Sequence, residues 1–208
     1  MKKLLLLSTV LLLGLAACST DDDEPQQPTQ GGVIINGIEW ATRNVDMPGT
    51  FAENPEDTGM IFQWNRRKGW NATDEEVEDW DSSMPTGTKW YTKNDPCPTG
   101  WRVPTQAELL SLINSNSIWI TKNGVNGRLF GRAPNQIFLP ITGMRSSGIG
   151  GLLVAVGMSV SYWSNTRMNG YDMAMSIHLW YDDEGWWSNM TWGYSWLPNG
   201  HPVRCVAE

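Results

Sequence analysis

Positive charge, histidine and cysteine are all scarce in this chain. Over 208 residues, 15 Lys and Arg face 22 Asp and Glu, for a net charge of −7. Such a surface repels phosphate backbones, which argues against a nucleic-acid partner. Two histidines leave too few partners for a His-based metal centre, and no serine lies in a Gly-x-Ser-x-Gly nucleophile context. Charged residues make up only 18%, which excludes a highly charged disordered polymer. No tandem repeat or low-complexity segment interrupts residues 33–208. What the chain does have is tryptophan, 13 in all, with 21 glycines and 12 prolines that make it turn often. A hydrophobic content of 40% suffices for one domain with a real core.

The first residues are set apart from that domain. Lys2 and Lys3 precede the apolar run Leu4–Ala16, which is shorter than the ~20 residues a spanning helix needs. The run ends in Leu15-Ala16-Ala17-Cys18, which resembles a bacterial lipobox, whose cysteine is acylated after cleavage just before it. A plain secretory signal is the alternative. Residues 1–17 are thus expected to be a lipoprotein signal peptide, Cys18 the lipidated residue, and 18–32 an acidic flexible tether. The run Ser19–Glu24 also looks like the export signal of Bacteroidetes surface lipoproteins, so the expected location is the outer membrane, facing the exterior. The membrane is then met through the N-terminal lipid only.

With Cys18 acylated, Cys97 and Cys205 remain in a chain that has left the reducing cytosol, where two thiols ordinarily pair. A reactive or metal-binding thiol pair is the competing reading, and no Cys-x-x-Cys spacing supports it.

Many short strands and one or two helices are expected. Asn36-Gly37 between apolar residues predicts a hairpin, and Pro and Gly punctuate a loop-rich stretch over 46–100. Thr73–Glu76 fits a capping box for a short helix to about Trp80. The clearest helix starts at Thr105, with Glu108 completing a second box and Ala107, Leu109, Leu110 and Ile113 on its apolar face; Asn114–Asn116 end it. Strands follow over 136–143, with a proline that suggests an edge, and over 160–166, 174–181 and 202–208. In the third of these, Met175, Ile177 and Leu179 are expected to face the core, leaving His178 and Trp180 more accessible.

The ordered set NGIEWATRNV, CPTGWRVPTQAEL, FLPITGMRSSG, SYWSNT and HPVRCV resembles the major paralogous domain first described in Fibrobacter succinogenes and widespread in Bacteroidetes lipoproteins. That resemblance spans most of 33–208 and implies an α+β, C-type lectin-like fold akin to the formylglycine-generating enzymes. The implied architecture is a twisted antiparallel sheet with one or two flanking helices and long irregular loops. It also places Cys97 and Cys205 where the family uses a structural bridge, so no thiol pair is left for a copper oxidase. The Glu-Pro-Asn, Gln-Pro-Asp and Trp-Asn-Asp motifs of calcium-dependent lectins are missing. Asp182-Asp183-Glu184, with Asn189 beyond, is the nearest substitute, and an acidic turn at Gly185 is the preferred reading. No cofactor is expected; a calcium ion is left open without being predicted.

The tryptophans carry what functional signal there is. Trp186, Met190, Trp192, Tyr194 and Trp196 share one phase of a two-residue period, so a strand here has one heavily aromatic face. Indole rings stack on sugars and anchor peptides; they also fill cores. Trp40 and Trp101 are assigned to structure. The expected ligand-binding residues are Trp180, Asp182, Asp183, Trp186, Trp187, Asn189, Trp192 and Trp196. The expectation is a non-catalytic cell-surface recognition module for a glycan or protein, with a structural role in a surface appendage as the alternative and an oxidase a distant third.

Overall fold

A computed structural model describes residues 31–181 and 189–208. Cys18, Asp182, Asp183, Trp186 and Trp187 lie outside the described residues, as do the expected signal peptide and nearly all of the expected tether. The elements open with strands β1 (Val33–Ile35), β2 (Ile38–Trp40), β3 (Ile61–Gln63), β4 (Gly69–Trp70) and β5 (Trp101–Arg102). Helix α1 (Gln106–Ile113) comes next, then β6 (Ser117–Lys122), β7 (Val125–Arg132), β8 (Asn135–Pro140) and β9 (Met144–Ser146). The chain continues through β10 (Leu152–Val154), β11 (Ser159–Arg167), β12 (Met173–Trp180), β13 (Asn189–Trp196), β14 (Gly200–His201) and β15 (Val206–Ala207).

Strand takes up 41% of the described residues and helix 8%, and the paired strands form antiparallel sheets in the orders β1-β2-β15-β5, β10-β9-β14-β3-β4, β11-β12-β13 and β6-β7-β8. This corrects the expected α+β, C-type lectin-like architecture. Four small antiparallel sheets share one eight-residue α-helix, so the protein is mostly β. Strands short enough to be punctuated by so many Gly and Pro residues bury their faces against one another, and little helix is needed to cover them.

Local signals show where they were legible. Asn36 and Gly37 take φ of 52° and 80°, and the hairpin pairs Ile35 with Ile38 and Val33 with Trp40. Thr105 caps α1: its hydroxyl accepts from the Glu108 N–H, while the Glu108 carboxylate accepts from the Thr105 N–H at 2.7 Å. Arg102 grips the same carboxylate with both guanidinium nitrogens, at 2.9 and 2.6 Å. Burial pushes the Glu108 pKa up, but these bonds outweigh it and hold it below the usual range. The buried positions of α1 are Leu109 and Leu112, whereas Ala107 is exposed, so the apolar face is turned from the one expected. Pro140 closes β8 at a sheet edge, as its missing N–H requires.

The expected helix after Thr73 does not form. Asn71 Oδ1 accepts the N–H groups of Thr73 and Asp74, making an Asx turn. The carbonyls that would feed a helix go elsewhere: Arg145, fully buried, takes those of Asn71 and Asp74 at 2.8 Å each, and Leu153 N–H takes that of Glu75. A distant guanidinium thus outbids a local capping box.

Two apolar clusters make the core. One joins Leu109 and Leu112 of α1 to Phe130, Ile137, Leu139, Val160, Tyr162, Ile177 and Leu179. The other surrounds the Cys97–Cys205 disulfide with Trp64, Trp90, Val103, Trp163 and Val203. That bridge has a Cα–Cα distance of 6.1 Å and links residues 108 apart, tying the segment ahead of α1 to the final stretch of chain. Trp40, Trp64 and Trp163 are wholly buried, and Trp101 packs edge-on against Phe51 at 5.6 Å.

Candidate functional site

The sheet β11-β12-β13 presents two different faces. Cross-strand partners share a face, so Trp192, Tyr194 and Trp196 of β13 lie with Ile177, Met175 and Met173 of β12. Ile177 and Met175 are buried, and Ile177 packs in the apolar cluster that holds Leu109 and Leu112 of α1. Trp192, by contrast, is 51% exposed, Tyr194 41% and Trp196 38%, and Met173 is exposed opposite Trp196. The Trp192 and Tyr194 rings meet edge to face at 5.9 Å. These rings are exposed to solvent and are not part of either buried cluster.

Trp180, whose register partner is Asn189, belongs to the other face, with Ser176, His178, Thr191, Gly193 and Ser195. The eight expected ligand-binding residues are thus not one patch: Trp192 and Trp196 are brought together, Trp180 is half-buried across the sheet, and the Asn189 side chain, Asp182, Asp183, Trp186 and Trp187 lie outside what is described. Tyr194, in phase with the two tryptophans, completes the line of rings; the same alternation identifies it. Met173 joins only through the β12 register, which no sequence period announces.

On the second face each histidine meets a serine. His178 Nδ1 lies 2.9 Å from Ser161 Oγ, with its ring 5.2 Å from Trp180, and burial lowers its pKa. His201 Nε2 lies 2.6 Å from Ser195 Oγ, to which Asn199 Nδ2 also donates at 3.3 Å. Complete burial pushes the His201 pKa down to about 3, with a smaller push from His178. So weak a base cannot draw a proton from a serine hydroxyl near neutral pH. The pair holds the β13–β14 corner together.

Two clefts elsewhere are bordered by structural bonds. One of about 470 Å³ lies beside the end of α1, where Asn36 Nδ2 donates to the Ser111 carbonyl and the Asn116 amide oxygen accepts from Arg132. Another, of about 530 Å³, borders the disulfide. There the Asp95 carboxylate accepts the N–H groups of Cys97 and Val103, and burial raises its pKa. Among the described residues, no three His, Cys, Asp or Glu side chains gather as metal ligands. Comparison with family models, with curated proteins and with solved structures found no significant match.

Proposed function

We propose that this chain, carried on the cell surface by a lipid at Cys18, is a non-catalytic recognition module that binds a glycan or a protein through the aromatic edge of β13. One observation carries the reading: Trp192, Tyr194 and Trp196 stand exposed in a row on one strand, though the fold has buried tryptophans elsewhere as core. Large, rigid rings left in water in that arrangement offer contact area at low entropic cost. The lipobox-like Leu15–Cys18, the acidic run after it and the motif order similar to the major paralogous domain of Bacteroidetes lipoproteins support display outside the cell.

A glycan array probed with the wild type and with Trp192→Ala and Trp196→Ala tests the reading. Binding should fall by at least about tenfold in each variant, the loss of one stacked anchor. Equal binding by wild type and variants refutes the aromatic edge as the site. The second reading, a component of a surface assembly, is favoured by the absence of charge along β13 and predicts co-purification with a larger partner instead of sugar binding.

A further inference from the structure

We infer that β13 is also a self-pairing edge, at which two copies of this chain join antiparallel into one continuous sheet. The inference does not depend on what the aromatic rings recognise; it starts from the main chain. Leu197 N–H donates to the Asp172 carbonyl at 3.0 Å, and these two residues face each other one step beyond the Met173–Trp196 pair. An antiparallel ladder alternates, so the odd-numbered residues of β13 direct their backbone groups at β12. The even-numbered ones direct theirs outward, and no strand among the described residues lies beyond β13. The N–H groups of Trp192 and Tyr194 and the Tyr194 carbonyl accordingly have no partner among the described residues. The same residues carry the exposed rings.

Natural proteins blunt such edges with charge, proline or brevity. The other sheet edges here follow the rule. β6 carries Lys122, β8 ends on Pro140, β11 carries Arg167, and β1, β4, β5 and β10 run to three residues or fewer. β13 has eight residues, NMTWGYSW, with neither charge nor proline. In a chain of net charge −7, two copies repel wherever acidic surface meets, and this neutral strand is where they can approach.

Gly193 identifies the register. A glycine in mid-strand weakens the strand and marks a close approach by another backbone. Nothing inside the described fold explains it: a Cβ built there meets no atom within 4 Å, and its φ is not among the positive ones. Placed on a two-fold axis, Gly193 faces Gly193 of the second copy at a narrow pair, where Cα atoms approach to about 4.5 Å. Trp192 of each copy then faces Tyr194 of the other, and the two exchange N–H···O bonds. Both rows of rings fall on the same face of the extended sheet and make one platform.

Sedimentation of the full chain over a concentration series, with Tyr194→Ala and Tyr194→Pro beside the wild type, tests this. Both substitutions remove the ring; only proline removes the outward N–H. Proline is compatible with the strand because that N–H is not used by β12 and the preceding residue is glycine. The wild type should form a reversible dimer, and Tyr194→Pro should dissociate at least about tenfold more readily than Tyr194→Ala. Association through the apolar Leu4–Ala16 run ignores both changes, so equal behaviour of the two variants overturns the proposal. Cross-linking checks the register independently. Gly193→Cys should give a disulfide-linked dimer on non-reducing gels, and Thr191→Cys, whose mate is Ser195 of the other copy, should not. No covalent dimer from Gly193→Cys in a variant that keeps the wild-type circular dichroism overturns it equally.

Discussion

His201 sits in β14 with its ring edge-on to Trp163 at 4.5 Å, Nε2 against Ser195 and Nδ1 without a partner among the described residues. Burial holds its pKa at about 3, against 6.5 for the free side chain. The unfolded chain therefore binds a proton at this residue that the folded chain refuses, wherever the pH lies between those values. The sign follows: stability is complete above about pH 6.5 and is lost as the pH falls. Going from about pH 7.5 to about pH 4.5 should remove roughly 3 kcal/mol through this residue alone, and more below that pH. The measurement is urea unfolding at a series of pH values, comparing wild type with His201→Gln, whose amide reaches Ser195 without titrating. Carboxylates such as Asp95 and Glu108, and half-buried His178, contribute to both proteins, so the difference between the curves isolates His201. The wild-type curve should fall below that of the variant as acid is added. Parallel curves over this range would mean that the imidazole is solvated or charge-paired in the fold, and the argument from burial would be wrong.

Other expectations follow from the same structure. Replacing Cys97 and Cys205 by Ala should lower stability by about 4–5 kcal/mol, the chain-entropy value for a closed loop near 100 residues, read by denaturant midpoint; a loss below about 1 kcal/mol would show that the bridge constrains nothing. Arg145→Met should cost at least about 3 kcal/mol, because the carbonyls of Asn71, Asp74 and Gly151 lose their shared donor inside the protein. Limited proteolysis should then cut within 71–76 before anywhere else in the domain. Thr105→Ala should cost about 1 kcal/mol through the α1 cap. Trp192→Ala should leave the melting temperature nearly unchanged, since half of that ring is already in water; a large drop would identify it as core.

What could be read ahead of the structure depended on how far its causes lie along the chain. Asn36-Gly37 and Thr105-x-x-Glu108 act within a few residues and are found as expected. The Thr73 box has the same local form and fails, because Arg145, more than 70 residues away, claims the carbonyls a helix would use. Alternation along β13 showed that one side would be aromatic. It could not show that this side is left exposed, which depends on tertiary packing, nor that Trp180 lies on the opposite side, which depends on register. The α+β expectation came with the family resemblance; the chain's own frequent turns are what divide it into four small sheets.

The position of β15 between β2 and β5 has a consequence for how the molecule is made. Val206 sits opposite Trp40 on one side and Arg102 on the other, so the pairings that complete the first sheet join stretches of chain more than 100 positions apart. Until those late residues arrive, β2 and β5 have nothing between them, and an incompletely synthesised chain offers two naked borders to whatever polypeptide passes. Maturation should accordingly be slow and all-or-none, with oxidation of the adjacent cysteine acting as the latch once the closing segment is seated.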